Sequence, residues 1–124
     1  MKYSLFFVFV GGGLGSILRY LTGKWVPATW TGAPFPWSVL TVNVVASAIL
    51  GWVMGWVLAR SANEELRLLI GVGFCGGLST FSSFSYDLVI LLQNGRVLAA
   101  FFNVLLNVIL CTCVAAGGLW LGQK

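Results

Sequence analysis

The sequence predicts an all-α membrane protein with four transmembrane helices per subunit, the third broken at mid-membrane. Three observations lead there. Of 124 residues, 59% are hydrophobic before the 16 Gly are counted and only 8% are charged, where an ordinary soluble domain carries about 25%. The few charges leave four long uncharged runs. Within the third run, paired Gly are followed at once by a cluster of Ser and Thr.

The charges stand at Lys2, Arg19, Lys24, Arg60, Glu64, Glu65, Arg67, Asp87, Arg96 and Lys124. Between them, Tyr3 to Leu18 runs 16 residues, Trp25 to Ala59 runs 35, Leu68 to Tyr86 runs 19 and Val97 to Gln123 runs 27. About 20 apolar residues cross a bilayer as a helix. The first run is short, so its helix includes Arg19 near one end, with that side chain reaching toward the interface or a protein partner. The 35-residue run exceeds one helix, and its Gly23 to Pro36 part, with three Pro, reads as a loop. Trp25, Trp30 and Trp37 lie in or beside this loop, at the depth where amphipathic rings settle among headgroups. Helices are expected over about 3–22, 37–60, 66–92 and 97–121, as a single four-helix transmembrane domain filling 1–124.

An N-terminal signal peptide fits the first run poorly. It has a single Lys and no A-x-A-like site, and it continues through Gly into Arg19 and Tyr20. Composition also excludes a disordered, fibrous or nucleic-acid-binding protein. Most enzymes are excluded too, because there is no His and there are only three acids for acid-base or metal chemistry. Cys75, Cys111 and Cys113 have neither disulfide nor metal spacing and read as small apolar packing residues.

With four helices, both termini and the Arg60 to Arg67 loop share one side. Four basic residues stand there (Lys2, Arg60, Arg67, Lys124), against three on the other side (Arg19, Lys24, Arg96). The positive-inside bias is one charge, so orientation is almost unspecified, and two copies in opposite orientations can pair as an antiparallel dual-topology homodimer. A single orientation set by that one charge is the alternative. Ser47, Gly51, Gly55 and Ala59 recur at every fourth position, as do Gly11 and Gly15, giving faces on which backbones approach closely. A protomer this small struggles to enclose a polar path alone, which raises the expectation of an oligomer.

The unusual segment is Gly71, Gly73, Gly76 and Gly77, then Leu78 to Ser85. Paired Gly followed by Ser79, Thr80, Ser82 and Ser83 weakens the helix at a depth where lipid demands an unbroken ladder. A break there survives only inside protein or beside a cavity, and it frees carbonyls for a small cation. The alternative is a hydroxyl-rich helix packed closely on its neighbours. Phe81 and Phe84, three apart, share one face, and Ser82 and Ser85 the adjacent one. Ring edges carry positive charge density, and hydroxyl and amide donors replace part of an anion's water shell. Asn43, set among Val and Leu, must face a helix, water or a ligand. Asn103, Asn107 and Cys111 form a polar stripe on the fourth helix, which either lines the same path or joins two helices.

The run Gly73-Phe74-Cys75-Gly76-Gly77-Leu78-Ser79-Thr80-Phe81-Ser82-Ser83-Phe84-Ser85 resembles the signature of the CrcB/Fluc fluoride channels. The resemblance extends to Gly15 through Tyr20, Thr41-Val42-Asn43, Leu91 through Gly95 and the overall length. It implies a dual-topology antiparallel homodimer in a prokaryotic inner membrane, with two fluoride pores and a central structural sodium ion. In that reading Phe81 and Phe84 contact fluoride and Asn43 is an amide donor near one end of the pathway. Gly76 and Ser79 offer backbone carbonyls to sodium, Arg19 matches the family's first-helix arginine, and Asn107 with Thr80, Ser82, Ser83 and Ser85 supplies further pore contacts. Ser79 and Ser83 replace the Thr of many relatives, and Asp87 stands where a longer acid is common.

The function so implied is passive fluoride export that relieves fluoride toxicity, through contacts weak enough for release. Two alternatives remain at this stage. A small dual-topology multidrug/proton antiporter needs a membrane-buried carboxylate, which the first helix lacks. A non-transporting membrane subunit would use its Gly and Ser for packing alone.

Overall fold

A computed structural model describes residues 2–61 and 63–124. Its regular elements are all helical, and four segments are long and apolar enough to cross a membrane: Ser4–Trp25, Trp37–Arg60, Glu64–Gln93 and Val97–Gly122. These match the four expected segments.

Helix α1 (Ser4–Trp25) runs three residues past the expected boundary. Thr22 Oγ1 donates to the Leu18 carbonyl at 2.8 Å, so its hydroxyl is satisfied inside the helix. The end comes at Val26 (ψ 98°) because Pro27 follows, and a proline ring disfavours helical backbone in the residue before it. The connection expected from Gly23 therefore begins at Val26. It folds back on itself, with the Phe35 N–H donating to the Ala28 carbonyl at 2.8 Å and the Phe35 side chain buried.

Helix α2 (Trp37–Arg60) ends on Ser61, which has the left-handed backbone (φ 47°) common after a helix. The third spanning segment is composite. Asn63 caps α3 (Glu64–Leu66) through its side-chain oxygen, a π-helical stretch covers Arg67–Cys75, and α4 (Gly76–Leu78) follows. Ser79 and Thr80 then have extended backbones before α5 (Phe81–Gln93) resumes. A tight turn leads into α6 (Val97–Gly122). In that turn Gly95 (φ 73°) donates to the Leu92 carbonyl and Arg96 to the Leu91 carbonyl, the Schellman pattern that closes a helix end.

Packing follows the small residues. A Cβ on Gly11 would fall on the Leu69 carbonyl and one on Gly51 on the Ala115 carbonyl. Backbone therefore touches backbone where α1 meets the π-helical stretch and where α2 meets α6. Both expected small-residue faces are thus interhelical contacts. Arg60 Nη1 also ties the ends of α2 and α6 by donating to the Gly122 carbonyl at 3.2 Å. Val42, Ala46, Cys75 and Leu78 form the buried core, backed by Leu18, Ile49, Ile70 and Phe74. This core ends next to the two extended residues. The three cysteines are free, and Cys75 is a core packing residue, as expected.

Candidate functional site

The site grows from Ser79 and Thr80. Ser79 N–H and Oγ both donate to the Cys75 carbonyl, at 3.0 and 2.8 Å, and close the preceding helical turn. Thr80 Oγ1 accepts from Ser83 N–H at 3.1 Å and so caps α5. The Thr80 hydroxyl thus takes the Ser83 N–H that an unbroken ladder would give to the Ser79 carbonyl, while the Ser79 hydroxyl adds a second donor to the Cys75 carbonyl. Thr80's own peptide groups are consequently outside any helix. In low dielectric these groups need partners.

Asn43 supplies both. Its Oδ1 accepts from Thr80 N–H at 2.8 Å and its Nδ2 donates to the Thr80 carbonyl at 3.3 Å, so one side-chain amide pairs with the peptide edge. The same Nδ2 donates to Asn107 Oδ1 at 3.0 Å. Asn107 Nδ2 donates in turn to Asn103 Oδ1 and to the Asn103 carbonyl, both at 2.9 Å. A relay therefore runs from α6 through α2 to the extended residues. Each step fixes which way the next amide faces. Both protons of Asn43 and both of Asn107 are engaged, while Asn103, fully buried, has an Nδ2 without a partner among the described residues.

Two grooves adjoin Thr80. One, of about 280 Å³, is lined by Asn43, Ser47, Ser79, Thr80, Phe81, Phe84, Asn107, Val108 and Cys111. It contains amides, hydroxyls and two aromatic rings and no charged side chain. The Phe81 and Phe84 centroids lie 5.6 Å apart with planes tilted 45°. Phe81 is 79% exposed, so its ring also faces away from the protomer. The second groove, of about 350 Å³, is lined by Arg19, Tyr20, Lys24, Ser38, Thr80 and Ser83 among others. Its two cations make it electropositive.

Of the residues singled out in the sequence, Asn43, Ser79, Thr80, Phe81, Phe84 and Asn107 share the uncharged groove. Arg19 and Ser83 line the charged one. Ser82 lies beside Thr80, with 3.3 Å between hydroxyls, and Ser85 Oγ donates to the Phe81 carbonyl; neither lines these grooves. Gly76 is exposed and has open space where a Cβ would stand. Ser47, which the sequence places on a small-residue packing face, also lines the uncharged groove. Its spacing of four from Asn43 already placed both on one helical face.

Comparison with known proteins agrees with this architecture. The family described as CrcB-like protein, Camphor Resistance (CrcB), matches residues 6–119. A protein of Pyrococcus abyssi is 40% identical over 116 residues, which is 93% of this chain and 92% of the relative. One from Ignicoccus hospitalis is 40% identical over 121 residues, 98% of this chain and 96% of its own. Another, from Novosphingobium aromaticivorans, is 42% identical over 98 residues, 77% of this chain and 78% of its own. Each relative is named "Fluoride-specific ion channel FluC", a transport function and not an enzymatic one. Four spanning segments and a family match over nearly their whole length make this chain a multi-pass membrane protein that belongs to the CrcB family.

Proposed function

We propose that the chain is a fluoride-selective channel that lets fluoride leave the cell passively, down its electrochemical gradient, and so relieves fluoride toxicity. The observation that carries this reading is the uncharged groove, in which two Phe rings, hydroxyls and amides converge on Thr80. Such a lining replaces part of a small anion's water shell without binding it so tightly that it cannot leave. Fluoride-channel relatives aligned along almost the entire chain support the choice of anion. Arg19 and Lys24 in the adjoining groove favour anion entry. In this reading the break at Ser79 and Thr80 lies at mid-membrane, where it is tolerated because protein and ions surround it.

The working unit is an antiparallel, dual-topology homodimer in a prokaryotic inner membrane, with a structural sodium ion at its centre. Near-equal basic counts on the two sides support dual topology. The residues fit the ion. Thr80 N–H, which a continuous α-helix would direct at the Gly76 carbonyl, is turned to Asn43. Among the described residues no backbone N–H donates to the Ser79 carbonyl. Two hard carbonyl oxygens suit sodium, and two per protomer are too few alone, which favours a site completed by a second copy. Bound there, sodium would supply a fixed positive charge between the protomers.

Fluoride efflux from liposomes containing the purified chain tests the reading. Rapid efflux without chloride efflux or proton coupling is expected, and absent efflux would sink the proposal. Phe81→Ile and Phe84→Ile are each expected to slow efflux at least about tenfold, roughly 1.4 kcal/mol of barrier, with the dimer retained on size-exclusion chromatography. Unchanged flux in both variants would remove the rings from the mechanism. The antiporter reading lacks its carboxylate: Asp87 lines a different groove, beside the α1–α2 connection.

A further inference from the structure

Arg96 has no part in conduction as read above, and its surroundings are unusual. The Schellman turn fixes its backbone, with Arg96 N–H bonded to the Leu91 carbonyl at 2.9 Å. Its carbonyl accepts from Ala100 N–H at 3.0 Å and starts α6. The side chain leaves a rigid point. Its Nη1 is buried and has no hydrogen-bond partner among the described residues. The ion pair found among the described residues joins Arg67 to Glu64, so Asp87 lies in the same groove as Arg96 without pairing to it.

Two grooves meet at this arginine. One, of about 250 Å³, includes Phe35, Tyr86, Asp87, Asn94 and Arg96. The other, of about 430 Å³, runs past Gly95, Arg96 and the first turn of α6 to Phe102. That turn is the positive end of a 26-residue helix. The arginine sits between Gln93 and Val97, where two spanning segments end, which is headgroup depth in a bilayer. Immediately along α6, Leu98, Phe101 and Phe102 are exposed.

We propose that Arg96 holds the phosphate of a membrane phospholipid with a phosphoethanolamine headgroup. The guanidinium donates to phosphate oxygens, Asp87 faces the ammonium, and an acyl chain runs over Leu98, Phe101 and Phe102. A guanidinium that lines two grooves and whose Nη1 has no acceptor among the described residues keeps its outward-facing donors for an anion in the groove, and its planar fork matches phosphate. The nearby carboxylate favours a headgroup that also carries a cation. Free inorganic phosphate offers the same oxygens but neither ammonium nor acyl chain. The proposal stands whether or not the chain conducts fluoride.

The test uses the wild-type chain in detergent, labelled with phenylglyoxal and read by peptide mass spectrometry, with Arg60 as internal reference. Phosphatidylethanolamine is expected to slow Arg96 labelling at least fivefold relative to Arg60, and inorganic phosphate at the same concentration to leave it unchanged. Equal labelling with and without the lipid, or equal protection by inorganic phosphate, overturns the assignment. Native mass spectrometry provides a second reading. Arg96→Gln is expected to lose bound phosphatidylethanolamine at least fivefold and Arg96→Lys to retain part of it; undiminished lipid on Arg96→Gln also overturns the assignment. The labelling experiment needs no variant, so it decides the matter even where Arg96→Gln does not fold.

Discussion

Asn43 is where one side chain holds an otherwise unpaired stretch of backbone. It satisfies both peptide groups of Thr80 and is itself oriented by Asn107. Asn43→Ala leaves the Thr80 N–H and carbonyl without those partners, at about 1–3 kcal/mol for each buried group. We expect a clear drop in melting temperature in detergent together with loss of fluoride efflux; an unchanged melting temperature would show that the pairing holds nothing. Asn43→Asp is expected to be no better. It keeps an acceptor for Thr80 N–H but turns a carboxylate oxygen toward the Thr80 carbonyl and Asn107 Oδ1, both acceptors. That Asn43 needed a partner was legible in its apolar neighbourhood. Which partner it takes was not, because the partner is backbone 37 residues away, and a peptide group looks the same at every position of a sequence.

At the scale of elements, small residues and hydroxyls act differently. Small residues set how near two helices come. Gly11→Ala pushes a Cβ into the Leu69 carbonyl and the Phe74 backbone, so it is expected to cost about 1–3 kcal/mol or more. Gly13→Ala, on the same helix with nothing within 4 Å of its Cβ, is expected to be neutral or to stabilise by about 0.4–1 kcal/mol. Melting of the two variants side by side checks this, and similar losses in both would mean that helix propensity and not packing governs these positions. Hydroxyls set where the ladder stops. The Ser79 hydroxyl adds a second donor to the Cys75 carbonyl and the Thr80 hydroxyl takes the Ser83 N–H. The three extra residues of α1 are not legible locally, because Gly23 looks like a helix end while Pro27, through its effect on Val26, is the true terminator.

For the whole molecule, orientation in the membrane rests on a difference of one basic residue between the two sides. A C-terminal reporter is expected to report both orientations, and Thr29→Lys with Ala33→Lys, adding two charges to the α1–α2 connection, to shift the population strongly to one. A single orientation in the unmodified chain would remove dual topology. The four spans, the interhelical small-residue faces and the family were all readable in one dimension. Hydropathy, four-residue periodicity and a long motif are local properties of a chain, and bilayer thickness translates them directly into helices. Three-dimensional packing alone decided that α2 and α6 each bring amides to the extended residues, that Thr80 parts a charged groove from an uncharged one, and that Arg96 Nη1 ends up buried without an acceptor among the described residues. Those outcomes depend on the directions of side chains from helices far apart in the chain, and such directions exist only once the helices have closed against each other.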